Sequence, residues 1–298
     1  MVKSFLQSTG WGQFQQNLGR KVYGNDNYIA VLERGHFSTR LFCPYGPNNL
    51  KQNLKTLTDE AQRAKVDFVR IEPRDDITAT ELKKLGFHKA KRDVNPVETI
   101  INDLADEPTI MATVSQGVRR TWRKLEKAGV EYELSTKPED IEDFINMLHD
   151  TVQRTQLKGH DDAYYRQFAA SLFPSGHAGL MFAKLSGQRV ASVVWIEHEG
   201  MMSYLYAANL SQFRKDSPAT GLGLFALLEA QRRGNQKFDW FGIAPEDDNN
   251  PRYRSWQGFT AFKLGFGGQR TKYLGTWELP LRKLRYSTFK LLQKLGSK

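Results

Sequence analysis

The spacing of apolar residues predicts that strands and helices alternate along this chain. Three apolar runs between residues 179 and 208 are separated by Gly187 and Gly200, a pattern typical of antiparallel strands joined by tight turns. A helix is predicted over 221–233 and a further strand over 238–243. Antiparallel strands that lead into a helix and then another strand indicate a mixed α/β sheet.

The first half of the chain shows the same alternation. Ser8 is placed to cap a helix that carries Trp11 and Phe14 and ends at Gly19. The sequence DFVRIEP, at 67–73, is largely apolar and stops at a proline, which predicts a buried strand. The pattern therefore predicts two α/β units.

Each half fits the mixed sheet of an acetyltransferase-like (GNAT) domain, so we expect an α/β fold (α+β mixed sheets) with two tandem GNAT-like domains. The expected boundaries are 1–112 for the first domain, 113–280 for the second and 281–298 for a basic amphipathic C-terminal helix. There is no long heptad run, and the second domain has no room for a coiled-coil arm.

Composition indicates a well-packed globular protein. The chain has 298 residues, of which 40% are hydrophobic and 12% aromatic. Its one cysteine, Cys43, excludes an intramolecular disulfide and fits a reducing compartment. No segment approaches the ~20 apolar residues that span a bilayer, and none resembles a signal peptide, so a cytoplasmic location is expected. The six histidines show no metal-ligand spacing, and we expect no metal.

The net charge of +10 is concentrated in two predicted helices. Residues 281–298 contain six basic residues and no acid, and residues 119–127 contain five basic residues against Glu126. Localised basic charge is typical of proteins that bind nucleic acid, a phosphorylated substrate or an anionic lipid surface. A solvated helical face explains such runs equally well.

One stretch, 238–279, combines the features of a ligand site. A strand ends in a polar loop and is followed by an aromatic helix over 256–266 with a single cation, Lys263. A double glycine then leads into a predicted strand over 272–279. From residue types alone, Lys263 either presents a charge to a substrate or extends from an ordinary amphipathic helix. No role is assigned to the acidic loop 246–250.

Other polar and glycine positions permit binding roles. Gly221 and Gly223 lie at a helix start, where backbone N–H groups can approach a phosphate or carbonyl, although glycines also serve as plain helix starts. Glu72 ends a strand beside Arg74 and could hold a substrate ammonium group or form a surface ion pair. In the 203–206 strand, side-chain alternation places Tyr204 and Tyr206 on one face. Either their hydroxyl groups line a cleft, or the two side chains simply pack against their neighbours.

Distinctive motifs cover residues 5–281: FLQSTGWGQFQQNLG, FVRIEP, VRRTWRKLEKAGVE, YLYAAN, FDWFGIAPEDDN and GFTAFKLGFGGQRTKYLGTWELPL. In these motifs the chain resembles the FemABX family of peptidoglycan bridge-forming aminoacyltransferases. The resemblance implies transfer of an amino acid from aminoacyl-tRNA to the stem-peptide amine of a lipid-linked or UDP-linked peptidoglycan precursor. It implies aminoacyl-tRNA as co-substrate and no cofactor, and we expect a monomer.

The resemblance also assigns roles. Lys263 would stabilise negative charge near the tRNA 3′ end, with Phe262 packing beside it. Glu72 would contact the muramyl peptide, and Tyr206 and Tyr164 would line the precursor site. Gly221 and Gly223 would receive the tRNA acceptor end.

The family's Lys and Arg on the precursor diphosphate correspond here to Gln15 and His160, which departs from the pattern. Arg154 and Lys158 lie close by in sequence and are candidates to substitute.

Two questions stay open at the level of sequence. The apolar stripe of the C-terminal helix either lies on an anionic membrane surface, giving a peripheral contact with the inner face of the membrane, or packs back onto the second domain. For function, the alternatives to aminoacyl transfer are a CoA-dependent GNAT N-acyltransferase and a non-catalytic module that binds tRNA or lipid.

Overall fold

The computed structural model describes residues 3–74, 77–155, 159–247 and 250–295. Its strands are β1 Val22–Asn25, β2 Tyr28–Arg34, β3 Thr39–Cys43, β4 Phe68–Ile71, β5 His88–Lys89, β6 Glu98–Asp103, β7 Glu131–Ser135, β8 Ala178–Leu185, β9 Gln188–His198, β10 Met201–Asn209, β11 Lys237–Asp239, β12 Gln269–Lys272 and β13 Trp277–Pro280. Its α-helices are α1 Thr9–Asn17, α2 Leu50–Arg63, α3 Ala79–Lys84, α4 Glu107–Thr113, α5 Gln116–Lys127, α6 Ile141–Thr155, α7 Asp162–Leu172, α8 Pro218–Arg232, α9 Gln257–Leu264 and α10 Lys283–Leu295. Short 3₁₀ helices cover Phe5–Gln7, Pro138–Asp140, Phe173–Ser175, Ser211–Asp216 and Pro251–Trp256.

The chain divides into two compact units, each built around its own mixed sheet. The first unit contains Lys3–Val97 and the segment from Tyr273 to the end of the described chain, and the second contains Glu98–Lys272. The α/β fold class with two mixed sheets is therefore confirmed. The boundaries differ from the expected ones, because the chain leaves the first unit at residue 97 and returns to it at residue 273.

The sheet of the first unit has the order β1-β2-β3-β4-β13-β5. Only β3 and β4 run parallel among its described pairs, and β13 lies antiparallel between β4 and β5. One apolar core on this sheet includes Leu41, Leu57 and Val69. The strand predicted over 272–279 is wrong as a single element, because β12 and β13 belong to different sheets and the chain turns between them at Gly275, where φ is 68°.

The helix predicted after Ser8 is present as α1. The Ser8 hydroxyl accepts a hydrogen bond from the backbone N–H of Trp11 at 3.1 Å, and Gly19 adopts a left-handed φ of 74° after the helix. This cap and stop are local interactions, so the sequence pattern was sufficient to locate them.

The sheet of the second unit has the order β12-β6-β11-β10-β9-β8-β7. The predicted meander is present as β8, β9 and β10, which pair antiparallel in sequence order. From β10 the chain crosses through α8 to β11, which pairs with β10 in parallel. A core of buried residues from α8 and from the sheet, including Leu224, Leu227, Trp195 and Phe238, holds this crossover in place.

The C-terminal helix α10 packs on the first unit through one of its faces. Tyr286 and Phe289 are buried and form a small cluster with Phe68, whose ring stacks on Phe289 with centroids 5.1 Å apart. Glu278 ties this face to the sheet, because it accepts a hydrogen bond from the Tyr286 hydroxyl and pairs with Arg70. Although burial acts to raise the pKa of Glu278, Arg70 holds that pKa below its usual value. This face of α10 is therefore packed, but on the first unit, so the expectation that the helix packs on the second domain is wrong.

Candidate active site

The predicted catalytic lysine lies against a strained turn at the end of β11. Phe241 and Gly242 both adopt left-handed backbone conformations, with φ of 50° and 83°, which directs their carbonyl groups toward α9. The Lys263 ammonium group donates hydrogen bonds to both carbonyl oxygens, at 2.9 Å from Phe241 and 2.8 Å from Gly242. An ammonium group has three donors, so one remains for an oxygen atom of a ligand.

Burial changes the protonation of this lysine. Lys263 is only 8% exposed, and removal from water lowers its pKa to about 7, against a smaller opposing effect from the buried carboxylate of Asp239. The ring of Phe259 lies 5.1 Å from the Lys263 nitrogen and favours the charged form. A cation held in a dry environment acts more strongly on a developing negative charge than one in water.

Buried polar side chains fix the shape of the turn. The Asp239 carboxylate accepts hydrogen bonds from the Thr99 hydroxyl at 2.5 Å and from the Phe241 N–H at 2.9 Å. Thr260, on α9, accepts one from the N–H of Ala244 at 2.9 Å. These residues were not predicted from the sequence, because Thr99 and Asp239 are 140 positions apart and no local pattern connects them. The strand predicted over 238–243 is correspondingly shorter, since it ends at Asp239 where the turn begins.

An aromatic cluster supports the lysine from the other side of α9. Phe262 packs edge-on against Phe266 and Trp240, with centroids 5.0 and 6.2 Å apart, and Phe266 stacks on Trp240 at 4.4 Å. A Cβ atom at Gly223 would lie 2.7 Å from the Phe266 ring, so this glycine lets α8 approach the Phe266 side chain closely. Phe262 thus packs against Trp240 and Phe266, and both its place beside the substrate site and its part in catalysis stay predictions.

Gly221 also has a packing function in α8. A Cβ atom there would lie 2.0 Å from the Tyr132 hydroxyl oxygen and 2.5 Å from a methyl group of Leu125. Tyr132 is itself stacked between Trp122 and Phe225, each with centroids 5.1 Å away. The close approach of these side chains explains why a glycine is needed at Gly221, and binding of the tRNA end by Gly221 and Gly223 stays a prediction.

Three of the predicted substrate-binding residues lie together in the second unit. The imidazole ring of His160 stacks on Tyr164 with centroids 3.6 Å apart, and the hydroxyl oxygens of Tyr164 and Tyr206 are 3.3 Å apart. Burial raises the pKa of Tyr206 well above its ordinary value, with a further contribution from Tyr164, so this phenol is neutral. The cluster brings together two phenol hydroxyl groups and an imidazole ring, which suit a polar, hydrogen-bonding ligand.

Tyr204 and Tyr206 point to opposite faces of the sheet, so the prediction of a shared face is wrong. The register of β10 with β9 shifts between them, because Tyr204 pairs with Trp195 and Tyr206 with the preceding residue, Val194. This bulge adds one residue and reverses the alternation. Tyr204 therefore packs in the core, 5.1 Å from Trp240, while Tyr206 joins the His160 cluster.

The register of the parallel pair places the two groups at the same end of the second sheet. Ser203 of β10 pairs with Asp239, the last residue of β11. Tyr206 lies three residues beyond Ser203, and the turn that binds Lys263 begins two residues beyond Asp239. Carboxyl ends of neighbouring parallel strands are a common position for ligand sites, because the chains separate there. This end of the sheet is the candidate active site of the second unit.

In the first unit, Glu72 is buried and its oxygen atoms are engaged. They accept hydrogen bonds from the Thr276 hydroxyl at 2.7 Å, from the N–H and side-chain amide of Asn95 at 2.9 and 2.6 Å, and from the N–H of Tyr45 at 3.4 Å. Glu72 therefore forms no surface ion pair with Arg74, and its carboxylate is not exposed. Contact between Glu72 and a substrate stays a prediction.

Arg74 instead stacks on two tyrosines. Its guanidinium carbon lies 4.7 Å from the ring centroid of Tyr45 and 4.1 Å from that of Tyr273. The guanidinium group also donates a hydrogen bond to the Tyr273 hydroxyl oxygen. No local sequence pattern predicts this contact, because Tyr273 is 199 positions away from Arg74 in the chain.

Neither of the two positions that correspond to the family's diphosphate-binding Lys and Arg carries a lysine or an arginine. Gln15 is buried and accepts a hydrogen bond from Arg20 at 2.7 Å, so an arginine lies beside it. Arg154 contacts the side chain of Asn209 at 3.4 Å. Lys158 lies outside the described residues, as do positions 248 and 249 of the acidic loop. Among the described residues, no cluster of His, Cys, Asp or Glu could hold a metal ion.

Comparison with known proteins gives matches at the level of fold. Residues 112–254 match the acetyltransferase (GNAT) domain family. The whole chain superposes on a crystal structure of FemX with a TM-score of 0.81 at 17% identity, over 96% of this chain and 94% of that one. No curated protein matches the chain in sequence.

Two further solved structures share the fold less closely. L-PGS from Bacillus licheniformis superposes with a TM-score of 0.63 at 13% identity, over 100% of this chain and 99% of that chain. The C-terminal domain of a putative lysylphosphatidylglycerol synthetase from Agrobacterium fabrum gives the same score and identity, over 95% of this chain and 91% of that chain. The chain therefore has a FemX-like fold with a GNAT domain match, and together these support the resemblance to the FemABX family and an acyltransferase role.

Proposed function

We propose that this protein is an aminoacyltransferase that moves an amino acid from aminoacyl-tRNA to the stem-peptide amine of a peptidoglycan precursor. The observation that carries the proposal is Lys263, a buried cation with one donor left, at the carboxyl end of β11 in a FemX-like fold. The motif around it, GFTAFKLGFGG, is the part of the sequence that most resembles the FemABX family.

The proposed chemistry needs a fixed cation more than it needs a base. A neutral amine of the acceptor attacks the ester carbonyl carbon, a C–N bond forms, and the carbonyl oxygen becomes an oxyanion. The remaining N–H of Lys263 donates to that oxyanion, which stabilises the tetrahedral intermediate. When the intermediate collapses, the C–O bond to the tRNA ribose breaks, and the departing oxygen takes the proton that the amine loses.

The His160–Tyr164–Tyr206 cluster supports a polar acceptor at the same end of the sheet. Its phenol hydroxyl and imidazole groups are hydrogen-bonding partners of the kind that orient amide and hydroxyl groups of a peptide or sugar. In this proposal, the cluster holds the precursor while Lys263 acts on the ester.

A reaction with defined donors and acceptors tests the proposal. The protein is incubated with a pool of charged tRNAs and with either lipid-linked or UDP-linked precursor, and the products are identified by mass spectrometry. We expect the precursor mass to increase by one amino-acid residue, and only when charged tRNA is present. Parallel reactions contain acetyl-CoA as donor or phosphatidylglycerol as acceptor.

The parallel reactions separate the alternatives. Acyl transfer from acetyl-CoA without tRNA would instead identify a CoA-dependent N-acyltransferase, which the GNAT domain match favours as the second candidate. Modification of phosphatidylglycerol in place of the precursor would contradict the proposed acceptor. Binding of tRNA without any product would indicate a non-catalytic module.

A further inference from the structure

The outer face of α10 is apolar and exposed, although its inner face is packed. Leu284, Leu291 and Leu295 are 87%, 58% and 63% exposed. At about 100° per residue, they fall within roughly 40° of one another, on the side of the helix opposite the buried Tyr286. A helix that is packed on one side and carries a leucine stripe on the other has a second surface to cover.

A second exposed apolar residue lies beside the start of α10. Phe37 is 64% exposed at the tip of the hairpin that joins β2 to β3. Asp67 connects the two segments, because its carboxylate accepts a hydrogen bond from the N–H of Thr39 at 2.8 Å and forms an ion pair with Arg285 at 2.8 Å. The hairpin tip and the first turn of α10 are therefore neighbours at one edge of the first unit.

Exposed apolar residues are concentrated at this edge. Among the described residues, six large apolar side chains are exposed, and four of them are Phe37 and the three leucines of α10. We refer to these four residues as the apolar edge. A cluster of this kind on an otherwise polar surface marks an interaction site.

The charge around the apolar edge is positive. Lys283 and Lys294 flank the leucine stripe on one side, and Arg34 precedes the hairpin tip. The acids that pair with α10, Asp67 and Glu278, are buried and already bound to arginine or lysine side chains. Leucines and an aromatic residue within a basic rim complement the headgroups and the acyl boundary of an anionic bilayer.

We propose that the apolar edge docks the protein on an anionic lipid surface, with Phe37 and the leucines of α10 entering the acyl boundary. Among the described residues, no helix is both long and apolar enough to cross a bilayer, so this contact is peripheral. The apolar edge belongs to the first unit alone, and its docking does not depend on the reaction proposed for Lys263. If both proposals hold, docking brings the enzyme to a lipid-linked precursor.

Vesicle binding tests this inference directly. The full-length protein is sedimented with vesicles of phosphatidylcholine alone or of phosphatidylcholine with phosphatidylglycerol. We expect binding only to the anionic vesicles, and we expect a variant that combines Phe37→Ser, Leu284→Gln and Leu291→Gln to bind about tenfold or more weakly. These side chains are exposed, so thermal unfolding of the variant should match wild type.

A matched control replaces an exposed apolar residue elsewhere in the same unit. Val94→Gln, at a position that is 49% exposed, should bind vesicles like wild type. Lys283→Gln should weaken binding and reduce its dependence on salt. The inference fails if wild type does not bind anionic vesicles, if the triple variant binds them as tightly as wild type, or if these substitutions weaken binding to an RNA duplex and leave vesicle binding unchanged.

Discussion

At the scale of residues, the candidate site depends on one lysine, and burying the charge of this lysine costs free energy of folding. Lys263 is buried, its pKa is lowered to about 7, and it is held by the carbonyl oxygens of Phe241 and Gly242. The sequence indicated a lone cation on an aromatic helix and left two explanations open. The structure places this lysine in a turn that Thr99 and Asp239 shape, and those long-range contacts leave no periodic signal in the sequence.

The lowered pKa of Lys263 predicts a pH-dependent difference in stability. The pKa in the folded state is below that in the unfolded chain, so the unfolded state binds more protons between about pH 7 and pH 10. The free energy of unfolding of wild type should therefore rise relative to that of Lys263→Met as pH increases through this range. Urea unfolding of both proteins at pH 6.5, 8 and 9.5 measures this change. A difference that does not vary with pH would contradict the lowered pKa.

At the scale of elements, short-range patterns located most helices and strands, and tertiary contacts decided the rest. The Ser8 cap and the meander of β8 to β10 follow from neighbours in sequence, so they were predictable. The bulge at Leu205 was not predictable, because the extra residue in β10 causes no visible break in the sequence pattern of the strand. The sequence also did not show which face of α10 packs on the protein, since both faces carry apolar residues.

Helix α8 offers a direct test of glycine as a packing residue. Gly221→Ala should lower the free energy of unfolding by about 1–3 kcal/mol, because the added methyl group would overlap Tyr132 and Leu125. Gly117→Ala is the matched control, since it also lies near a helix start and the added methyl group would lie 3.9 Å from its nearest neighbour, the Ser115 hydroxyl oxygen. Chemical denaturation compares the two variants. Equal stability of both would show that Gly221 is not needed for packing.

At the scale of the whole molecule, the chain is not a simple series of two domains. Strand β13 returns to the first sheet and lies between β4 and β5, after the second unit is complete. The sequence placed these residues in the second domain, because a strand that follows a helix in sequence is most simply assigned to the nearest sheet. Only the pairing of Trp277 with Ile71 and Lys89 reveals the return.

This connectivity predicts which fragments fold. A fragment of residues 98–272 contains every strand of the second sheet and should give cooperative thermal unfolding. A fragment of residues 1–112 lacks β13 and should not, whereas residues 3–97 joined by a short glycine-serine linker to 273–298 should fold. The linker is short because the N–H of Tyr273 donates to the carbonyl of Val97 at 2.8 Å. Circular dichroism melting distinguishes the fragments, and cooperative unfolding of 1–112 would refute the assignment.

The most direct test of the central claim is the single-turnover rate of aminoacyl transfer from charged tRNA to precursor by Lys263→Met. This variant keeps the length and burial of the side chain and removes its charge. We expect the rate to fall by about 10²–10³-fold, the usual effect of removing an oxyanion donor, while tRNA binding stays near wild type and thermal unfolding stays cooperative. Lys237→Met, at a lysine of the same unit that pairs with Asp103 at the surface, should keep the wild-type rate. A Lys263→Met rate equal to that of wild type would contradict the account.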